Sequence, residues 1–273
     1  MLALTRHPAA SAEAPTLVIA HGLYGSGRNW GVIARRLSDR RDVVAVDMRN
    51  HGDSPRADSQ SYPDMAADLA EVITSLGAPV DLLGHSMGGK AAMQLALTRP
   101  DLIRRLVVAD IAPVAYSHDQ SANARAMAAL DLTRITTRAE ADAALAAHID
   151  DPALRAFFLQ SLDLRTKPPH WRLNLAVLEA EMPKIVGWPG TEGVFDHPTL
   201  FLTGAQSSYV LPEYRDTIRA HFLKARFAKL PDAGHWLHAE KPREFDETVR
   251  VFLEAEAIGS ERSSSETNWP DTF

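Results

Sequence analysis

Residues 80–90 read Val-Asp-Leu-Leu-Gly-His-Ser-Met-Gly-Gly-Lys. An apolar run enters a Gly-x-Ser-x-Gly turn, and an alanine-rich stretch with helical spacing follows at once. That order predicts strand, sharp turn and helix, with Ser86 at the apex. Glycines crowd such a turn because the serine backbone is strained and neighbouring chains approach closely, so side chains there would clash. The same geometry lifts a hydroxyl to the end of a sheet and aims a helix N-terminus at any negative charge that develops beside it. The plainer alternative is an ordinary turn with a serine cap, which leaves the extra glycines without a purpose.

The flanking sequence repeats the strand–loop–helix rhythm. Residues 16–20 (Thr-Leu-Val-Ile-Ala) and 43–46 (Val-Val-Ala-Val) are apolar runs, as expected of strands covered on both faces. Leu106–Ala109, Thr199–Thr203 and Ala225–Leu230 continue the series, and a short edge strand is expected at Leu2–Thr5. Helical patterns lie between them, for example from Pro63 to Leu76 and from Pro242 to Glu256. Alternating strands and helices predict right-handed crossovers and a mostly parallel sheet, with binding loops at the carboxyl ends of the strands. From Pro113 to Asp196 the rhythm stops and Ala-rich helical segments dominate: Ser121–Leu130, Arg138–Ile149, Pro152–Leu162 and Trp171–Glu181. This stretch is read as a helical cap, or lid, over the strand ends. Phe157, Phe158, Trp171, Leu175 and Leu178 either wall a substrate pocket or pack the cap's own core; residue by residue the second is preferred. The predicted organisation is therefore a core of residues 1–112 and 197–258, a cap of 113–196, and a Ser/Glu-rich disordered tail of 259–273.

Composition removes several function classes. A net charge of −6 without a long basic run gives a nucleic-acid role no electrostatic support. The absence of cysteine excludes thiol catalysis and thiolate metal sites. No apolar run approaches the ~20 residues that span a bilayer, and the first fifteen residues lack the basic-then-apolar order of a secretory signal. A cytoplasmic, monomeric protein is expected. Asp47, His51 and Asp53 lack a recognisable metal-ligand spacing, so no metal and no cofactor are expected.

A serine is nucleophilic near neutral pH only beside a base. Of eleven histidines, His235 follows the last strand in an Asp-Ala-Gly-His-Trp loop where Gly234 lets the chain turn its ring toward Ser86. An acid must then fix the tautomer of that ring. The loop after the strand that follows the cap (residues 204–209) contains no carboxylate, Asp196 lies at the wrong end of that strand, Asp216 falls in a helix, and Asp232 is too near His235 in sequence. Asp110, one strand from Ser86 at the correct edge, is assigned the acid role. The alternative is a loop aspartate, with Ser207 hydrogen-bonding the histidine. The backbone amides of Leu23 and Met87 are the expected oxyanion donors. His21, Gly22, His85, Tyr209 and Trp236, in the loops alongside, are the expected substrate contacts. The stretch 47–52 (Asp-Met-Arg-Asn-His-Gly) holds both charges of an ion pair and is read as an organising network behind the oxyanion loop.

Five stretches together resemble the alpha/beta-hydrolase superfamily, and within it the YbfF-like small bacterial esterases and their mitochondrial relatives. They are His21–Ser26, Asp47–Gly52, Gly84–Lys90, Asp110–Pro113 and Ala233–Pro242. The resemblance covers nearly all of residues 15–256. It implies the alpha/beta-hydrolase fold with the helical cap inserted after the sixth strand, an acid at Asp110, and hydrolysis of short acyl esters or thioesters through an acyl-enzyme. The expected partner is such a small-molecule ester or thioester. Cofactor-free perhydrolysis, carbon–carbon bond hydrolysis, or ligand reception without turnover are the alternative uses of this arrangement.

Overall fold

A computed structural model describes residues 1–255 apart from Ala12 and Ala78; the expected tail at 259–273 lies outside the described residues. Seven strands form one sheet: β1 (Leu4–His7), β2 (Leu17–Ala20), β3 (Val43–Val46), β4 (Val80–His85), β5 (Ile103–Ala109), β8 (Thr199–Gly204) and β9 (Ala225–Leu230). Their order is β1-β3-β2-β4-β5-β8-β9, and all pairings are parallel except that of β1 with β3. The segment ahead of β2 supplies one edge strand, displaced two residues from the expected position. Only five strands therefore precede the helical insertion, which follows the fifth strand of the chain rather than the sixth.

Side-chain alternation assigns each strand residue to one of two cores. Val18, Ala20, Val44, Val46, Leu82, Leu106 and Val108 face α2 (Tyr62–Ser75) and α3 (Met87–Thr98). Leu17, Ile19, Val43, Ala45, Leu83, Val107 and Leu202 face α1 (Gly31–Leu37) and the closing helix Pro242–Glu254. Burial on both faces is why the central strands are so rich in apolar residues. α3 is buried from Met87 through Leu97, so it too is apolar almost all round. The register brings the strand ends level: Ala20 lies beside Gly84, His85 beside Ala109, and Ala109 beside Leu202. The loops after β2, β3, β4, β5, β8 and β9 consequently share one edge.

Between β5 and β8 lie α4 (Ser121–Ala128), α5 (Arg138–Leu145), α6 (Pro152–Phe158), α7 (Leu175–Ala180) and α8 (Met182–Val186). Two short strands, β6 (Leu162–Asp163) and β7 (His170–Trp171), pair antiparallel among them. Trp171 was expected in a helix; its indole instead reaches back to donate to the Met127 carbonyl at 2.9 Å, which holds it in extended chain. The insertion is fastened to the loops at the strand ends. Asn174 N donates to Asn50 O (2.9 Å), Tyr24 Oη to Gln120 O (2.9 Å) and Tyr62 Oη to Ile185 O (2.5 Å). No helix among the described residues is long and apolar enough to cross a membrane.

The approach of α3 to β2 depends on Gly88. A Cβ there would lie 2.3 Å from Ala20 O and 2.5 Å from His21 O, both backbone atoms that cannot yield without moving the strand. Gly88→Ala is expected to lower stability by at least about 3 kcal/mol, read as the urea midpoint; an unchanged midpoint would mean that the helix can stand farther from the strand at no cost.

Candidate active site

Ser86 occupies the turn between β4 and α3 with φ 52° and ψ −119°, a conformation that costs an L-residue energy and places its side chain at the apex. The turn is held because Ser86 N donates to Ala109 O and Lys90 N donates to Ser86 O, each at 3.0 Å. A Cβ on Gly84 would meet Gly88 O at 2.3 Å, so the flanking glycines are required by packing. Met87 begins α3, and its amide has no carbonyl one turn earlier in the helix to receive it.

His235 and Asp110 arrive from two other strand ends. Ser86 Oγ lies 3.0 Å from His235 Nε2, and His235 Nδ1 lies 2.7 Å from Asp110 Oδ2. With Nδ1–H donating to the carboxylate, Nε2 is left as the acceptor for the serine hydroxyl. Asp110 is fully buried directly after β5, at φ 52°. Its carboxylate also accepts from Gly204 N (3.1 Å) and from the hydroxyl of Ser207. Ser207 therefore bonds to the aspartate and not to the histidine. Tyr209 stacks on the His235 ring at 4.0 Å between centroids, and His85 Nε2 donates to His235 O at 2.8 Å.

The loop after β2 is shaped by two buried histidines. His21 Nδ1 donates to Gly22 O and its Nε2 accepts from Met48 N. His51 Nδ1 donates to Arg49 O and its Nε2 accepts from Tyr24 N. Both rings thus have their nitrogens committed to backbone: His21, expected to contact substrate, offers it no polar atom, and His51 has no lone pair free for a metal. Asp47 accepts from Gly27 N and Asp53 N, while Arg49 pairs with Asp68 rather than with Asp47. Asp47 is needed to hold the glycine loop, and the fold leaves two carboxylates of α2 within reach of the guanidinium, Asp68 at 2.6 Å and Asp64 at 3.7 Å. Among the described residues, neither Leu23 N nor Met87 N donates a hydrogen bond within the protein.

Burial keeps these imidazoles neutral. It lowers the pKa of His21 to about 4 and those of His51 and His238 to about 3, with the neighbouring His21 and His235 adding to the effect on the last two. His238 stacks on Trp30 with 4.1 Å between centroids. An unfolded chain protonates these rings near pH 6.5 and the folded one does not, so their contribution to stability is complete above that pH and is lost as pH falls toward 4. The slope approaches about 1.4 kcal/mol per pH unit for each ring. Urea midpoints are expected to fall steeply between pH 6.5 and 4. A level profile there would show that the folded protein holds these rings charged.

A cavity of about 310 Å³ opens beside Ser86. His21, Gly22, Leu23, Met87, His85, Tyr209, His235 and Trp236 border it, so the expected contact loops converge there. From the insertion come Leu154, Phe157, Phe158 and Ile185. Phe157 and Phe158 thus line the cavity, whereas Trp171, Leu175 and Leu178 pack inside the insertion, as preferred for them. Sequence reasoning had no role for Tyr116, His118 or Lys90, and it offered Ser207 only as a partner of the histidine rather than of Asp110. Only Lys90 carried a signal, as a cation within an otherwise apolar helix.

The profile of the alpha/beta hydrolase fold matches residues 15–242. The chain belongs to that family. Mouse sn-1-specific diacylglycerol lipase ABHD11 is 40% identical over 251 residues, covering 89% of this chain and 82% of its own. Esterase YbfF of Escherichia coli is 40% identical over 241 residues, covering 87% and 92% respectively. The solved structure of a marine microorganism esterase superposes with a TM-score of 0.86 at 36% identity, over 92% of this chain and all of that one. Esterase and lipase relatives over such lengths support a hydrolase, and the resemblance read from the motifs, to YbfF-like esterases of this fold, agrees with them.

Proposed function

We propose that this alpha/beta hydrolase is a serine carboxylesterase acting on short acyl esters or thioesters. The observation that carries the proposal is the continuous line Asp110–His235–Ser86 ending at a cavity bordered by two uncommitted amides. Ser86 Oγ attacks the acyl carbonyl while His235 Nε2 takes its proton. Asp110 holds the ring in the required tautomer and stabilises the imidazolium. Leu23 N and Met87 N, at the start of α3, receive the oxyanion. His235 then returns the proton to the departing alcohol or thiol, and the acyl group stays on Ser86. Water, deprotonated by the same histidine, attacks the acyl carbonyl; the bond to Ser86 Oγ then breaks, Oγ takes the proton back from His235, and the carboxylic acid is released.

The largely apolar wall fits an alkyl or aryl acyl group, and the insertion acts in this scheme as a lid that limits access of bulk water. Steady-state hydrolysis of p-nitrophenyl butyrate, combined with mass spectrometry after treatment with a fluorophosphonate, tests the proposal. Turnover with a single adduct on Ser86 is expected. An inert protein, or an adduct on another residue, would overturn it.

A further inference from the structure

Lys90 is fully buried, one helical turn beyond Ser86 on α3, and borders the same cavity. Its Nζ donates to Val186 O (3.0 Å) and Gly187 O (2.6 Å), the closing carbonyls of α8. It also stands over the rings of Tyr116 and Tyr62, at 4.6 and 5.5 Å from their centroids. Among the described residues no carboxylate pairs with it, and burial draws its pKa down to about 7. The chemistry proposed above leaves this amine unused. An ammonium group in an apolar wall is costly unless hydrogen-bonded, and any alkyl chain pressed against it would strip its remaining polar contacts without replacing them.

Resting on the esterase reading, we propose that Lys90 is a specificity-determining residue that sets the upper length of the acyl chain. While the acyl group is attached to Ser86, its chain extends past Phe158 and Ile185 until it meets the Lys90 head. Methylenes short of that point gain burial, about fourfold in kcat/KM for each; methylenes beyond it meet a polar group tied to α8.

The test holds the leaving group constant and varies the acyl group, comparing kcat/KM for p-nitrophenyl acetate, butyrate, hexanoate and octanoate in wild type, Lys90→Met and Lys90→Arg. In wild type the series is expected to rise and then fall. Lys90→Met, which offers methylenes where the ammonium stood, is expected to raise the octanoate-to-butyrate ratio at least tenfold. Lys90→Arg, which keeps charge and donors, is expected to retain the wild-type ratio. If the methionine variant does not fold, Lys90→Gln, whose shorter, uncharged amide keeps a donor for the α8 carbonyls but costs less to desolvate, should shift the ratio in the same direction by a smaller factor. An equal change on all four esters in the variants would reduce Lys90 to a tether for α8 and overturn the proposal while leaving the esterase reading intact. No wild-type turnover on any of the four would overturn both.

Discussion

Ser86→Ala is expected to reduce ester hydrolysis on the order of 10⁶-fold, because the other members of a cooperating site contribute little once the nucleophile is gone. The substitution removes only the Oγ that bonds to His235 Nε2 at 3.0 Å. The backbone bonds that hold the turn, from Ser86 N to Ala109 O and from Lys90 N to Ser86 O, do not involve that atom. Circular dichroism and the urea midpoint should therefore stay close to wild type, so that lost activity can be read as lost chemistry. Activity within tenfold of wild type would mean that another residue is the nucleophile.

Asp110→Asn is expected to cost about 10⁴-fold in kcat. An amide cannot serve the imidazolium as a carboxylate does. Presented with its NH₂ toward His235, it also favours the tautomer that places the proton on Nε2, where the serine hydroxyl needs an acceptor. Ser207→Ala removes one of the donors to the same buried carboxylate, and a loss of about 10- to 100-fold fits a single hydrogen bond to a charged group. The ratio between the two effects discriminates roles. If Ser207→Ala proved as damaging as Asp110→Asn, the hydroxyl would have to act on the histidine directly, against the observed geometry in which it bonds to Asp110.

Much of this arrangement could be read locally. Strands buried on both faces are dominated by apolar residues, so β2, β3 and the later parts of β4 and β5 stood out as runs, and each was followed by a loop of unusual composition. The Gly84–Gly88 turn was legible because close backbone approach tolerates no side chain. Asp110 could be chosen over other carboxylates because the sheet order places the end of β5 next to that of β4. What failed locally did so for a shared reason. Trp171 sits in extended chain because its indole finds Met127 O, and Arg49 turns to Asp68 because Asp47 is spent on Gly27 N and Asp53 N. His21 does border the cavity, but the backbone partners of its two nitrogens, Gly22 O and Met48 N, could not be named from local sequence.

Residue type, spacing and period determined the alpha/beta architecture and pointed to Ser86, His235 and Asp110 as the proposed triad, because those features are imposed by short-range sterics and by which strand ends share an edge. Only the tertiary structure decided how the insertion meets the core. That Lys90, buried beneath α8, borders the cavity depends on where residues nearly a hundred positions away in the chain come to rest. Hydrogen-bond partners so distant in sequence leave no periodicity to detect, since each is selected by the competition for buried polar groups after the chain has closed.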